Sequence, residues 1–295
     1  MAAMRYSAFG LKLGAQSGIM DLMDDMGKAL AAPGAMRMLG GGNPAQIPAV
    51  NAIWQSRLRE IADNPELAAR MVANYDGPQG RAPFRAAMAG YLQNRYGWPI
   101  GPENIAVTNG SQTATFLILN LFGGRTPEGV DRTVLFPVLP EYIGYADQGL
   151  PGTTFRAVPP RIEYIDDHTH KYHVDLESLD VDENVGLIAV SRPTNPSGNV
   201  LTDAELAQLD RIARERGVPL FVDNAYGAPF PNILFEPTQL TWNENIILGM
   251  SLSKIGLPGV RTGIVVASEE IVRKISSMNS VLSLANGNPG QDIVE

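Results

Sequence analysis

The feature of this chain that most constrains its fold is a series of short apolar segments that alternate with amphipathic helical patterns. Several of the apolar segments are uninterrupted, as strands covered on both faces are. The six strand-like segments are Ile105–Val107, Thr133–Phe136, Gly186–Val190, Pro219–Val222, Ile246–Leu248 and Gly263–Ala267. Helical patterns between them lie at Ser111–Leu121, Asp203–Arg216 and Glu269–Met278. The alternation predicts an α/β fold with a mainly parallel central sheet and helices on both faces.

The region before the first strand is organised differently. Residues 1–46 are rich in Gly and Met and end in the turn signal Gly40–Pro44, which is typical of an arm. Helical patterns then predict helices over Pro48–Val72 and Pro83–Tyr96, and Asn74–Gly80 between them is expected to be a structured loop. At the other end, Asp292–Glu295 carries no cap or turn signal, so we expect the element there to continue.

Charge and composition exclude several classes of protein. The 295 residues include 23 basic and 31 acidic side chains, a net charge of -8, with no Lys/Arg run that would attract nucleic acid or anionic membrane. The chain has no cysteine, which excludes disulfides and cysteine metal sites. The sequence shows no signal peptide and no apolar run as long as a membrane span, so a cytoplasmic location is expected.

Polar residues follow the apolar segments, at the sheet edge where ligands bind in open parallel sheets. Gly110, Ser111 and Gln112 come between the first strand and a helix, whose leading N–H groups would bind an anion. Ser111 could instead be only a helix cap. Asp223 follows the fourth strand, and a carboxylate buried there needs a cation or several donors. The alternative is an aspartate that caps a turn.

Lys254 is the strongest candidate for chemistry. It follows a buried strand within a loop that is rich in Ser and Gly, which favours an amine nucleophile. Arg261 lies further along that loop and could clamp a phosphate. A solvated polar loop is the plainer alternative. Ser251 and Lys254 also match the Ser-x-x-Lys pattern of serine acyl-transfer enzymes, but the Ser-Asp-Asn and Lys-Thr-Gly elements of those enzymes do not occur.

Three histidines cluster in the sequence at His168, His170 and His173. A metal site is conceivable there, but no further ligand set accompanies them. A solvated loop between strands is the favoured interpretation, and no metal is expected.

Three motifs together resemble those of the fold-type I aminotransferases that use pyridoxal 5′-phosphate (PLP), the aspartate aminotransferase superfamily. They are Asn195-Pro196-Ser197-Gly198, Asp223-x-x-Tyr226, and Ser251-x-Ser253-Lys254 leading to Arg261. Further segments resemble one branch of that family, which exchanges an amino group between an aliphatic amino acid (valine or alanine) and a 2-oxo acid such as pyruvate or 3-methyl-2-oxobutanoate. These segments are Met20–Asp25, Leu39–Pro48, Asn74–Gly80, Pro140–Tyr145 and Ser191–Pro196.

The resemblance, which covers nearly the whole chain, implies a ping-pong transamination with Lys254, Asp223 and Tyr226 as the catalytic set. Lys254 would bind PLP covalently and Asp223 would pair with its pyridine nitrogen. Tyr226 and Asn195 would bond the ring oxygen, and Tyr142 would stack on the ring. The implied phosphate set is Gly110, Ser111, Gln112, Ser251, Ser253 and Arg261.

The resemblance also implies a homodimer and a division into domains. Tyr75 would reach the phosphate of the neighbouring subunit, and Asn195 with the Gly41–Gly42 backbone would hold the substrate carboxylate. Residues 1–46 would be an arm of the small domain, and residues 47–295 a large PLP-binding domain, cut short at its C-terminus.

Two features depart from the family pattern. Lys254 and Arg261 are seven residues apart, one fewer than in many relatives. The family's arginine for the substrate α-carboxylate belongs to a C-terminal small domain that we expect to be missing from this sequence. Another PLP reaction, such as that of a β-lyase or a different aminotransferase, and PLP binding without turnover stay open as alternatives.

Overall fold

The structure, a computed structural model, describes residues 4–32, 34, 37, 41 and 43–295. Its helices are α1 Ala8–Leu13, α2 Gly18–Ala31, α3 Pro48–Asp63, α4 Pro65–Ala73, α5 Ala82–Tyr96, α6 Ser111–Phe122, α7 Asp203–Arg216, α8 Glu269–Ser283 and α9 Pro289–Val294. Its strands are β1 Ile105–Thr108, β2 Gly124–Arg125, β3 Asp131–Phe136, β4 Thr154–Ala157, β5 Arg161–Tyr164, β6 His170–His173, β7 Val185–Ser191, β8 Leu220–Asp223, β9 Ile246–Ser251 and β10 Gly263–Val266. The domain boundary at residue 46 stays a prediction.

Eight of these strands form one sheet in the order β1-β10-β9-β8-β7-β3-β2, with β4 on β3. Strands β9, β8, β7, β3 and β4 pair in parallel, while β2 is antiparallel to β3. Strand β10 is antiparallel to both of its neighbours. The mainly parallel sheet that the sequence predicts is therefore confirmed, with β10 as the reversed strand within it.

The reversal of β10 determines which loops meet. Its first residue, Gly263, pairs with Thr108 at the end of β1 and with Ser251 at the end of β9. Residues that precede β10 therefore lie at the same sheet edge as residues that follow β1 and β9. This is why Arg261, which comes before a strand, is near Gly110 and Lys254, which come after strands.

The sheet is covered on both faces, as predicted. Alternate strand residues point to opposite faces, so Val222 belongs to one core and Phe221 to the other. Helices α5 and α7 pack into the first core through residues such as Phe84 and Leu209. Helices α6 and α8 close the second core. Burial on both faces explains why these strands are uninterrupted apolar segments in the sequence.

Two local predictions are wrong. The helix predicted over residues 48–72 is two helices, because Pro65 begins α4 and Asn64 caps it by accepting hydrogen bonds from the first-turn N–H groups. The histidine segment is only in part a loop: His168 lies in the connection between β5 and β6, but His170–His173 is strand β6, paired with β5. The ring of His173 bonds to Glu163 at 2.6 Å and to Glu205 at 3.0 Å. The hairpin escaped prediction because its strands are short and mostly polar.

The described ranges contain neither a membrane-spanning helix nor a cluster of metal ligands. No helix there is long and apolar enough to cross a membrane. No group of three or more His, Cys, Asp or Glu side chains in those ranges is arranged to hold a metal ion.

A buried ion cluster ties the helices before the sheet to α9. The Arg81 side chain is 1% exposed and pairs with Asp292, which is also buried, and with Glu295 at 3.0 Å. Asp76 lies 3.7 Å from the same guanidinium. Charges this deeply buried are stable only while both signs are present.

Arg81→Ala is expected to lower the free energy of unfolding by about 3 kcal/mol, because it removes the nearest cation from the buried Asp292 carboxylate and leaves only the more exposed Arg70, 3.7 Å away. Urea unfolding followed by circular dichroism measures this. The control is Arg211→Ala, which removes an exposed pair with Glu215 on α7 and should change the same free energy by about 0.5 kcal/mol or less. Equal effects of the two substitutions would show that the Arg81 cluster has no special role.

Candidate active site

Lys254 lies beside two other residues that the sequence singled out. Strand β9 ends at Ser251 and a single 3-10 turn, Ser253–Ile255, carries the lysine. Lys254 Nζ is 5.2 Å from the centre of the Tyr226 ring. The Asn195 side-chain amide donates to the Tyr226 hydroxyl at 3.4 Å. The ends of three neighbouring strands, β7, β8 and β9, thus bring Asn195, Tyr226 and Lys254 together.

Asp223 is the buried carboxyl of this edge. It is the last residue of β8 and is only 9% exposed. Its carboxylate accepts from the Tyr145 hydroxyl at 2.7 Å and from the Ala225 N–H at 3.0 Å. Burial raises the pKa of Asp223, while these two donors and the positive charge of Lys254 lower it. A carboxyl in this environment fits a cationic partner such as a pyridinium nitrogen.

Tyr145 was missed as a site residue, although its segment carries part of the resemblance. It lies in the loop after β3, three residues beyond Tyr142, and its ring stacks against Phe136 with centroids 5.7 Å apart. The Tyr142 ring meets Tyr145 edge-on at 5.4 Å. Burial raises the pKa of Tyr145, so its hydroxyl stays a donor to Asp223. The only sequence signal for Tyr145 is that it is a second tyrosine three residues after Tyr142.

Glu141, next to Tyr142, is a second, partly buried acid that sequence reasoning missed. Its carboxylate accepts from the Ser191 N–H at 2.8 Å and from the Ser191 hydroxyl. Loss of hydration raises the pKa of Glu141 to about 7, and the nearby charge of Asp223 adds to the increase. The site therefore contains two carboxyl groups whose pKa values are raised.

The N-terminus of α6 is built to receive an anion. Gly110 precedes the helix with φ of 92°, a backbone conformation that favours glycine, and no side chain caps the first turn. Ser111 is the first helical residue, so the alternative that it acts as the helix cap is wrong. The leading N–H groups of α6 and the Ser111 hydroxyl can thus face a phosphate.

Arg261 lies against this helix end. A Cβ atom placed on Gly110 would be 2.1 Å from Arg261 Nη2. Arg261 Nη1 is 3.5 Å from the Ser253 hydroxyl and donates to the Pro258 carbonyl at 3.3 Å. The shorter Lys254–Arg261 interval is accommodated by a 3-10 turn over Pro258–Val260 and a positive φ of 47° at Arg261.

The remaining members of the predicted phosphate set have structural contacts. Ser251 is buried, and its hydroxyl accepts from the Ser253 N–H at 3.1 Å. Gln112 donates to the Gly144 carbonyl at 3.3 Å, which joins α6 to the aromatic segment. The cationic, glycine-lined end of α6, the buried Asp223 carboxyl and Lys254 together fit the phosphate, pyridine nitrogen and aldehyde of PLP.

Three predicted residues lie outside this cluster or outside the described part of the chain. The Tyr75 side chain is 85% exposed. Gly41 lies against Leu22 of α2, 3.0 Å from where its Cβ would be. Gly42 falls outside the described residues.

The geometry does not support serine acyl transfer. Ser251 is 1% exposed and ends a strand instead of beginning a helix. Its hydroxyl is engaged with the backbone of Ser253. A nucleophile of that class must reach its substrate and its lysine.

Comparison with known sequences agrees with the resemblance. A family model for class I and II aminotransferases matches residues 43–295. The valine–pyruvate aminotransferase of Escherichia coli (strain K12) is 50% identical over 287 residues, which cover 97% of this chain and 68% of that protein. An aspartate aminotransferase of Pyrococcus horikoshii is 26% identical over 70% of this chain and 51% of its own length.

Solved structures give the same result. A valine–pyruvate aminotransferase from Salmonella typhimurium LT2 superposes with a TM-score of 0.83 at 48% identity, over 94% of this chain and 67% of that one. An aspartate aminotransferase from Thermus thermophilus shares the fold, with a TM-score of 0.76 at 17% identity, over 99% of this chain and 72% of its own. The chain thus spans about two thirds of its similar relatives and about half of the Pyrococcus enzyme. It belongs to the class I and II aminotransferases, enzymes of fold type I that use PLP.

Proposed function

We propose that this chain catalyses PLP-dependent transfer of an amino group between an aliphatic amino acid, valine or alanine, and a 2-oxo acid such as pyruvate. The observation that carries the proposal is that Lys254, the buried Asp223 carboxyl on which its charge acts, and the anion site of Gly110 and Arg261 meet at one edge of the sheet. The 50% identity to a valine–pyruvate aminotransferase supports the substrate pair. The cytoplasmic location expected from the sequence stays a prediction.

The roles of the polar residues follow from their positions. PLP, when bound, supplies the electron sink for the reaction. Asp223, oriented by Tyr145, holds a proton on the pyridine nitrogen. Lys254 Nζ binds the cofactor covalently and, once released by the amino substrate, moves the proton at the substrate Cα.

Other residues orient the reactants. Tyr226 and Asn195 form a hydrogen-bonded pair next to Lys254, where they bond the ring oxygen. Tyr142 offers its ring face for stacking. Gly110, Ser111, Gln112, Ser251, Ser253 and Arg261 form the phosphate set. Asn195 would also hold the substrate carboxylate, and the help expected from the backbone of Gly41 and Gly42 stays a prediction.

Two other functions have less support. A β-lyase on the same fold would consume the amino acid without a 2-oxo acid acceptor. A PLP-binding chain without turnover would keep the spectrum of bound cofactor and form no product. Both are distinguished from the proposal by pyruvate-dependent loss of valine with formation of alanine.

Lys254→Ala is expected to abolish both the visible absorbance of the lysine-bound cofactor and the conversion of valine and pyruvate, because no other amine occupies that position. Lys274→Ala, which removes an exposed lysine on α8, is the control and should retain both. Wild-type spectrum and turnover in Lys254→Ala would contradict the proposed function.

Gly110→Ala tests the anion site. The new Cβ would collide with the Arg261 guanidinium, which would have to leave the helix end and lose a charge-assisted hydrogen bond to an anion there, worth about 1.5–3 kcal/mol. The dissociation constant for PLP, measured by fluorescence titration, should therefore rise about tenfold or more. Gly90→Ala is the control because a Cβ there, on α5, meets nothing within 4 Å. Unchanged affinity in Gly110→Ala would argue against a phosphate at this position.

We also propose that the active unit is a homodimer in which Tyr75 acts in the site of the neighbouring subunit. Its 85% exposure on a loop held by buried side chains supports this. Tyr75→Ala and Lys254→Ala homodimers should both be impaired, the first through weaker phosphate binding. Mixed dimers of the two should regain one site with both residues intact, and activity should rise above that of either homodimer. No gain on mixing would place Tyr75 outside the partner's site.

A further inference from the structure

We propose that Glu141 is a second, partly buried acid of the site, which positions Tyr142 and the end of β7 and whose protonation couples cofactor binding to pH. This rests on the PLP site proposed above. Glu141 touches none of the groups assigned to the reaction except the backbone of Tyr142, so it is a positioning residue.

The contacts of Glu141 join two segments of the site. Ser191, the last residue of β7, donates to Glu141 through its N–H at 2.8 Å and through its hydroxyl. The Tyr142 N–H donates to the same carboxylate at 3.3 Å. The loop that leads to Asn195 starts after Ser191. The Glu141 carboxylate therefore joins the segment that carries the Tyr142 ring to the segment that carries the Asn195 amide.

The position of Glu141 places it beside the other acid. Ser191 pairs in register with Asp223 across the β7–β8 ladder, and the Arg192 N–H donates to the Asp223 carbonyl at 2.8 Å. All three donors to Glu141 are neutral, and no Lys, Arg or His lies within ion-pair distance of it in the described ranges. Its charge is therefore not neutralised locally and acts on the site.

Two titratable groups act on Glu141 directly, Tyr145 of the same loop and Asp223 at the end of β8. The next groups outward act on these neighbours: Tyr226 and Arg261 on the Tyr142 hydroxyl, and Lys254 on Asp223. Burial and Asp223 raise the pKa of Glu141 to about 7, and the Ser191 donors lower it. Glu141 is therefore neutral below that pH and adds a second negative charge beside Asp223 above it.

The charge has a predictable effect on the cofactor. A negative charge next to Asp223 favours a protonated pyridine nitrogen, so PLP should bind more tightly to the ionised form of Glu141. By linkage, the folded chain without cofactor binds a proton at Glu141 that the unfolded chain releases near its ordinary pKa of 4.5. The free energy of unfolding should thus fall as the pH rises from about 4.5 to 7 and remain lower above that range.

Glu141→Gln keeps the shape of the side chain and removes its proton exchange. Its PLP dissociation constant should match wild type within about twofold at pH 6 and exceed it about tenfold at pH 8, the equivalent of one pKa unit. In urea unfolding of the cofactor-free protein, the free energy of unfolding should decrease less between pH 5 and 7.5 than it does in wild type. Glu270→Gln, an exposed site on α8, should behave as wild type in both measurements.

Ser191→Ala supplies an independent check, because it removes a donor that stabilises the ionised carboxylate. The pH dependence of the PLP dissociation constant and that of the free energy of unfolding should both move to higher pH in this variant. A merely structural Glu141 would change the affinity in Glu141→Gln equally at pH 6 and pH 8, which overturns the inference. Wild-type pH dependence in Glu141→Gln overturns it as well. If the proposed PLP site itself is wrong, Lys254→Ala will keep the visible absorbance of the bound cofactor. That result does not depend on Glu141, so the two failures are distinguishable.

Discussion

The antiparallel pairing of β10 between β1 and β9 is the constraint on which the site depends. Its first residue pairs with the last residues of both neighbours, so the Arg261 loop enters the same edge as the loops that carry Gly110 and Lys254. The ends of three strands, β9, β8 and β1, supply the lysine, the carboxyl and the helix N-terminus, but the arginine comes from a loop before a strand. Were β10 parallel, Arg261 would lie at the opposite edge, and the anion site would lack its guanidinium.

The second physical constraint at this edge of the sheet is the reduced hydration of its two carboxyl groups. Asp223 is buried and Glu141 is partly buried, and both are held mainly by neutral donors: Tyr145 and a backbone N–H for the first, Ser191 for the second. The pKa of each is raised because the charged form loses hydration that these donors do not fully replace. A fold selected for stability alone would put apolar side chains in such positions. Two acids there suit a site that receives a cationic ring.

Much of the architecture was predictable because the central strands are buried on both faces. Residues such as Val107 and Leu248 leave an uninterrupted apolar signal, and each strand is followed by polar residues at the ligand edge. The strands missed were β2, β4 and the hairpin of β5 and β6, which are short or exposed and carry no such signal. The break between α3 and α4 escaped because the helical periodicity continues across Asn64 and Pro65.

The sequence by itself determined the fold class, the family and the order of Asn195, Asp223, Tyr226 and Lys254. It could do so because buried strands and local motifs each depend on residues that are contiguous in the chain. Only the tertiary structure decided the direction of β10, the donation from Tyr145 to Asp223 and the contact of Glu141 with Ser191. These contacts join residues that are between 50 and 161 positions apart in the chain. No local pattern encodes them, because they arise where separate strand ends meet and exclude water.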